Sequence, residues 1–229
     1  MRVIAGSAGG RVLHGFKGWH IRPTSDRVKE AVFSSLMMRL EGSRVADLFA
    51  GTGALGIEAL SRGAKSVEFV EINGRTCGLI YQNLITCGWA PSDDIRITRM
   101  NALSWISAAQ KKRSIDTPEA NGFDILFADP PYRKGLEEKV LIALGSGDLL
   151  SPGGILVVES DAGEKLPETL DGLYLMKNRV YGDTKISYYL RRNSSELTEV
   201  VQDTGRQGSD DRKEQPMRVL DSVGIGEGM

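Results

Sequence analysis

From residue 43 onward, short apolar runs alternate with longer stretches in which apolar side chains recur every three or four positions, and glycine, proline or acidic residues punctuate the joins. The runs Arg44–Phe49, Ser66–Glu71, Ile95–Arg99, Phe123–Ala128 and Ile155–Glu159 have the length and composition of buried strands. Ile57–Arg62, Arg75–Cys87, Leu103–Gln110 and a stretch around Glu137–Leu144 have helical spacing. Strand alternating with helix predicts a parallel sheet covered by helices, because parallel neighbours need a crossover between them. Lys111 to Gly122 reads as a polar loop and Ser151-Pro152-Gly153-Gly154 as a turn. Tyr174–Val180 and Lys185–Arg191 flank Tyr181-Gly182-Asp183-Thr184, so the sheet is expected to finish in an antiparallel hairpin.

Ahead of this pattern, residues 1–21 carry brief apolar pieces (Val3-Ile4, Val12-Leu13, Trp19-Ile21) between glycines, which predicts small antiparallel strands packed on the main domain. Pro23-Thr24-Ser25-Asp26 is a helix start, and Val28, Ala31, Val32, Ser35, Leu36 and Leu40 then share one helical face. Residues 193–229 are polar, acidic and without apolar periodicity, the composition of a disordered tail. Three parts are therefore expected: an extension over 1–42, an α/β domain over 43–192 and a tail over 193–229.

The chain has 229 residues and a net charge of −1, enough for one α/β domain and short appendages. That near-neutral total hides an asymmetry. Through Arg44 eight basic residues face three acids, whereas after Arg192 eight acids face four bases. No run is long and apolar enough to span a bilayer, and the first residues lack the apolar stretch of a secretory signal, so a cytoplasmic protein is expected. Cys77 and Cys87 fall on one predicted helix, where ten residues set them roughly 15 Å apart, too far for a disulfide. Neither His14 nor His20 adjoins a cysteine, and no metal site is expected.

Two stretches carry candidate chemistry. Asp47-Leu48-Phe49-Ala50-Gly51-Thr52-Gly53-Ala54-Leu55-Gly56 places a G-x-G-x-x-G pattern between a strand and a helix, where glycines let a ligand approach the backbone. Glu71 ends the next strand, a position suited to accepting protons from both ribose hydroxyls of a nucleoside. A dinucleotide and S-adenosylmethionine both fit such a loop; Asp47 and Asp129 nearby suit the cationic sulfonium better than a pyrophosphate. The second stretch, Phe123 to Tyr132, delivers Asp129-Pro130-Pro131-Tyr132 from a buried strand into a loop. Neither proline has an N–H, so the carbonyls there stay open to an outside donor. An exocyclic amino group could donate one proton to Asp129 and the other to the Pro130 carbonyl, with Tyr132 stacked on its ring. Ligands of open parallel sheets sit at the carboxyl ends of the strands, so Phe49, Glu71, Arg99 and Ala128 should border one crevice.

With both stretches in hand, the sequence resembles class I S-adenosylmethionine-dependent amino-methyltransferases, whose glycine loop precedes an Asp-or-Asn, Pro, Pro, aromatic motif. More narrowly, Arg22-Pro23-Thr24-Ser25-Asp26-Arg27-Val28-Lys29-Glu30-Ala31-Val32-Phe33, Asp47 to Gly53, Glu58-Ala59-Leu60-Ser61-Arg62-Gly63-Ala64 and Asp129 to Tyr132 resemble the bacterial 16S ribosomal RNA guanine-N2 methyltransferase family, from about Arg2 to Arg192. The resemblance implies a Rossmann-like, mostly parallel seven-stranded sheet with a C-terminal antiparallel hairpin and a small N-terminal hairpin and helix extension. It also implies S-adenosylmethionine as cofactor, bound by Asp47 and Phe49, with Gly51, Thr52 and Gly53 against its amino-acid part, Glu71 on its ribose and Asp129 to Tyr132 on the target base. The family usually ends its third strand with an Asp facing the adenine amino group; here that place falls to Asn101, whose amide carbonyl is still an acceptor.

The implied partner is ribosomal RNA or the small ribosomal subunit, bound by a monomer. A base within a duplex is out of reach, so the target is unpaired or flipped. Arg2, Arg11, Arg22, Thr24, Arg27, Arg133 and Lys134 are the candidate RNA contacts. A DNA adenine or cytosine methyltransferase would share both loops, although about forty residues before the core leave little room for a DNA-reading module. A protein-glutamine methyltransferase shares the chemistry, with Asn expected in place of Asp129. A nicotinamide-dependent oxidoreductase or a non-catalytic nucleotide-binding module would share the glycine loop alone.

Overall fold

The structure, a computed structural model, describes residues 1–15, 26–116 (main chain only beyond Lys112), 122–132 and 134–192. The predicted strand at Trp19-Ile21, the helix start at Pro23-Thr24-Ser25 and the tail over 193–229 lie outside the described residues.

The parallel half of the sheet comprises β1 (Arg44–Leu48), β2 (Ser66–Glu71), β3 (Ile95–Arg99), β4 (Phe123–Ala128) and β5 (Leu150–Asp161). The last three strands are β6 (Thr169–Leu170), β7 (Leu173–Tyr181) and β8 (Thr184–Arg191), and the order across the sheet is β3-β2-β1-β4-β5-β8-β7-β6. Neighbours from β3 through β5 run parallel, while β8, β7 and β6 are antiparallel additions. The expected seven strands are thus present, with a two-residue eighth at the edge. It exists because Asp171 (φ 41°) and Gly172 (φ 84°) both adopt positive φ, the requirement of a tight two-residue hairpin turn.

Helices α1 (Asp26–Leu40), α2 (Ala54–Ser61), α3 (Gly74–Cys87), α4 (Ala102–Asp116) and α5 (Leu136–Gly145) connect and cover the strands. Alternation along each strand feeds two cores, one per sheet face. On β4, Ile125 and Phe127 enter the core shared with Phe33, Leu36, Ile57 and Ile80, while Leu126 and Ala128 enter the one shared with Trp105, Ile106, Leu141 and Tyr189. No helix among the described residues is long and apolar enough to cross a membrane.

Three local expectations are corrected. Lys111 to Asp116 continue α4 and do not form a loop. Ser151 to Gly154 lie within β5, where the pairing with β4 jumps from Phe123↔Leu150 to Ile125↔Ile155; the extra residues, Pro152 and Gly153 among them, are absorbed in a bulge, which tolerates a proline inside a strand that is paired on both sides. In α1 the buried face is Val28, Lys29, Val32, Phe33, Leu36 and Leu40, with Ser35 exposed.

That face of α1 carries a buried ion pair beside the fully buried Phe33. Lys29 and Glu58 are both fully buried, 3.2 Å apart. Glu58 also accepts from Arg62 Nε (2.8 Å) and from the Ile4 and Ala5 N–H groups (2.7 and 3.1 Å). Lys29 in turn donates to the Arg2 carbonyl. Charges removed from water persist only when partnered this fully. Ser61 adds a second anchor, donating to the Ala5 carbonyl (2.5 Å) and accepting from Ala8 N–H (2.9 Å). A Cβ on Gly6 would sit 1.8 Å from the Ser61 carbonyl oxygen, so only glycine fits this approach. The small strands expected in residues 1–15 reduce to one antiparallel bridge, Arg2↔Val12, flanked by the cross-segment bonds Val3 N–H to the Arg11 carbonyl (2.9 Å) and Leu13 N–H to the Met1 carbonyl (3.1 Å), while the N–H groups of Ile4, Ala5, Ser7 and Ala8 turn to α2.

Candidate active site

The direction in which the chain winds reverses between β1 and β4: β2 and β3 extend the sheet to one side of β1, β4 and β5 to the other. Such a reversal leaves a crevice at the carboxyl ends of the two central strands. Leu48 pairs with both Val70 and Ala128, and Glu71 with Arg99, so these strands end nearly level. The loops that begin at Phe49 and Asp129 therefore start about one strand spacing apart, roughly 5 Å.

The first loop is shaped from beneath. Phe49 (φ 66°), Gly51 (φ 54°) and Gly53 (φ 78°) all take the left-handed conformation, which is strained for the phenylalanine. The glycines divide the work. A Cβ on Gly56 would sit 2.3 Å from the Phe69 ring, so this glycine lets α2 lie against β2. A Cβ on Gly53 would press on Ile80 at 3.2 Å. A Cβ on Gly51 would meet only the Phe49 carbonyl at 3.8 Å, which leaves its free side open for a ligand.

Glu71 grips that loop from the neighbouring strand. Its carboxylate accepts from Gly51 N–H (3.0 Å) through one oxygen and from Asn73 N–H (2.8 Å) through the other. Each oxygen has a second lone pair, so a ribose diol donating one proton to each is compatible with these bonds. Asp47, expected beside the cofactor, is 2 % exposed and does not reach the crevice. It accepts from Gly56 N–H at 2.9 Å, inside the first turn of α2. Burial, with a smaller push from Glu71, drives its carboxyl up to about 7, against the lowering effect of the Gly56 N–H.

Asn83 was not singled out by sequence pattern, yet it holds the loop from the other side. Fully buried on α3, it donates to the carbonyls of Thr52 (2.9 Å) and His14 (3.1 Å) and accepts from His14 N–H (2.7 Å). Asn101 differs from its expected use. Its side-chain oxygen, the acceptor expected to face an adenine amino group, accepts from Leu103 N–H (3.0 Å) and Ser104 N–H (3.2 Å) and so caps α4.

The second loop is held differently. Asp129 is half-buried, Pro130 buried, Pro131 exposed and Tyr132 half-buried. The Tyr132 hydroxyl donates to Glu159 Oε1 on β5 at 2.7 Å and lies 3.4 Å from Thr184 Oγ1 at the start of β8. Burial raises the Tyr132 phenol well above its usual range; the hydrogen bond and charge of Glu159 and the charge of Asp129 add to this, and Thr184 opposes it. The phenol thus keeps its proton throughout the physiological range and remains a donor. A narrow cavity beneath the start of the second loop is lined by Leu55 on α2, Asp129 and Glu159. An acid closing the apolar run Ile155–Val158 was the only sequence signal for Glu159.

Of the candidate RNA contacts, Arg2 is exposed and 3.5 Å from Asp26, and Arg11 donates to the Thr86 carbonyl at the end of α3 (2.6 Å). Arg27 and Lys134 are exposed. Arg22, Thr24 and Arg133 lie outside the described residues.

Comparison with known proteins bears on this arrangement as a whole. Residues 1–190 match the model of the family described as Conserved hypothetical protein 95. "Ribosomal RNA small subunit methyltransferase D" of Escherichia coli strain K12 is 33 % identical over 196 residues, covering 86 % of this chain and 92 % of that protein. Its namesake from Haemophilus influenzae is 33 % identical over 193 residues, covering 84 % and 94 %. The solved structure of the Escherichia coli protein yhhF superimposes with a TM-score of 0.70 at 32 % identity, over 84 % of this chain and 98 % of that one. On the strength of these matches, which run through the N-terminal anchor and both loops, the chain belongs to the ribosomal RNA small-subunit methyltransferase D family.

Proposed function

We propose that this protein is an S-adenosylmethionine-dependent methyltransferase that modifies an exocyclic amine of small-subunit ribosomal RNA, guanine N2. The observation that carries this reading is the level placement of the Gly51 loop with Glu71 and of Asp129-Pro130-Pro131-Tyr132 on adjacent strands at the switch point of the sheet. The names of the relatives support the RNA class, and the family resemblance of residues 22–33 and 58–64 supports guanine.

The residues present fit the cofactor. The open side of Gly51 admits its amino-acid part, and Glu71 has acceptor capacity for its ribose. When bound, S-adenosylmethionine supplies a methyl carbon made electrophilic by the sulfonium and is left as a neutral thioether. No strong base is therefore required of the protein, and alignment is its main contribution. The lone pair of an aromatic amine is delocalised into its ring. Asp129 and the Pro130 carbonyl, accepting one amine proton each, draw that nitrogen toward a tetrahedral geometry, and Asp129 takes up the proton that leaves. Pro130 and Pro131 supply no competing N–H. Arg27 and Lys134 contact phosphates near the target, and the work is done in the cytoplasm, where ribosomal subunits are assembled.

The test is transfer of label from S-adenosylmethionine to small ribosomal subunits, to naked ribosomal RNA and to DNA, each from cells lacking this activity. Label is expected in the RNA samples; incorporation into DNA alone would overturn the substrate class.

A further inference from the structure

Under the proposed function, the aromatic residue at the end of the second loop packs against the target base, and a ring serves that purpose only if its plane is fixed when the base arrives. The two prolines restrict the backbone that leads into Tyr132; the far end of its side chain is held by a group outside the loop. Its hydroxyl donates to Glu159 Oε1 at 2.7 Å and lies 3.4 Å from Thr184 Oγ1. Both partners are all but buried, Glu159 7 % and Thr184 5 % exposed. Both also sit in the most regular part of the sheet, where β5 and β8 pair without interruption from Ile155↔Leu190 to Asp161↔Thr184. A hydrogen bond from a phenol to a carboxylate is among the stronger neutral-to-charged pairs and excludes rotation of the ring away from the wall. Glu159 also lines the cavity that Asp129 lines.

We propose that Glu159 is a positioning residue for the acceptor base, holding the Tyr132 ring at the angle the target amine needs to face the methyl group, with Thr184 as its second prop. The assignment rests on the reading of Asp129 to Tyr132 as the base-binding loop. Its specific content is that Tyr at the fourth place of the motif acts through its hydroxyl as well as its ring, and that the hydroxyl faces protein and not RNA.

The experiment measures kcat and KM for small ribosomal subunits at saturating S-adenosylmethionine, together with the Kd for S-adenosylhomocysteine. The proteins compared are wild type, Tyr132→Phe, Glu159→Ala, Glu159→Gln and the double variant Tyr132→Phe/Glu159→Ala. Tyr132→Phe, which keeps the ring, and Glu159→Ala should each lower kcat about ten-fold, the scale expected of lost orientation. KM and cofactor Kd should stay within about two-fold, because neither group touches the bulk of the RNA or the cofactor loop. The double variant should be no slower than either single variant, since both remove one interaction. Glu159→Gln, whose amide carbonyl accepts the phenol proton, should recover to within about three-fold of wild type. A Glu159→Ala variant that fails to fold shifts the decision to Tyr132→Phe and Glu159→Gln: wild-type kcat in the first, or a loss in the second as deep as in the first, overturns the assignment. Losses that multiply in the double variant also overturn it. Wild type that transfers no methyl to any RNA overturns the underlying reading, and the assignment falls with it; active wild type with unaffected variants overturns the assignment alone.

Discussion

The two loops that leave β1 and β4 begin side by side and solve the same problem, a fixed backbone at the edge of a sheet, by different means. The glycine loop is held by polar groups on its flanks: Glu71 takes Gly51 N–H, Asn83 takes the Thr52 carbonyl, and Asp47 fixes the helix that follows. The acid–proline loop has stiffness built into its covalent structure at Pro130 and Pro131 and is tethered at its far end by the Tyr132 hydroxyl, to Glu159 and beside Thr184. Under the proposed function, the difference follows from what each loop must present. A loop that wraps a flexible cofactor needs left-handed backbone and open space, so it is rich in glycine and must be braced from outside. A loop that meets an amine must offer acceptors, and Pro130 and Pro131 bring no N–H of their own to compete for them and stiffen the backbone.

This contrast predicts separable failures, the largest in the acid–proline loop. Asp129→Ala should lower kcat by more than about 10³-fold, the cost of a lost transition-state acceptor, with the Kd for S-adenosylhomocysteine unchanged by calorimetry. An active variant would remove Asp129 from the chemistry and leave the contrast without its functional half.

The next effect belongs to the bracing of the glycine loop. The Asp47 carboxyl rises from an ordinary 3.8 to about 7 on folding, so the folded state holds its proton more tightly than the unfolded chain. Stability from this group is complete below about pH 4 and is lost as pH rises to about 7, on the order of 4 kcal/mol at roughly 1.4 kcal/mol per pH unit. Asp47→Asn keeps an acceptor for Gly56 N–H and has no proton to lose. In urea titrations it should therefore match wild type near pH 4 and exceed it above pH 7; parallel curves at both pH values would contradict the placement of this charge.

Asn83→Ala should cost about 3 kcal/mol, because it removes three hydrogen bonds made by a fully buried side chain, to the Thr52 and His14 carbonyls and from the His14 N–H. It should also weaken S-adenosylhomocysteine binding, whereas kcat at saturating cofactor changes little. Gly51→Ala is the mildest: φ of 54° costs about 1 kcal/mol in an alanine, while the new methyl points into open space in the free protein. Its signature is a higher cofactor Kd at nearly unchanged melting temperature.

The parts of this architecture visible in the sequence are those determined by neighbours along the chain. Strand and helix alternation, the glycine pattern after β1 and the Asp129 loop after β4 are all local, and the parallel sheet then brings the loops together. What escaped detection depends on partners far away in sequence. The apolar face expected for α1 omits Lys29 and Phe33 and includes Ser35; Lys29 is buried against Glu58 on another helix, Phe33 faces inward and Ser35 is exposed. Asn83 reaches 31 residues back to Thr52 and 69 back to His14. Glu159 finds Tyr132 across 27 residues. Asn101 is the opposite case: its capping bonds are local, to residues two and three ahead, and an N-cap before α4 was legible once the helix was placed. Asp171-Gly172 likewise announced the edge hairpin that the strand count omitted.

The measurement closest to the central claim is identification of the methylated nucleoside. Small ribosomal subunits from cells lacking this activity are treated with the purified protein and labelled S-adenosylmethionine, and the RNA is digested and resolved by mass spectrometry. A single product, guanosine methylated on its exocyclic N2, made by wild type and absent with Asp129→Ala, is the predicted result. Label on a ring nitrogen, a ring carbon or the ribose, or an undiminished yield with Asp129→Ala, would contradict it.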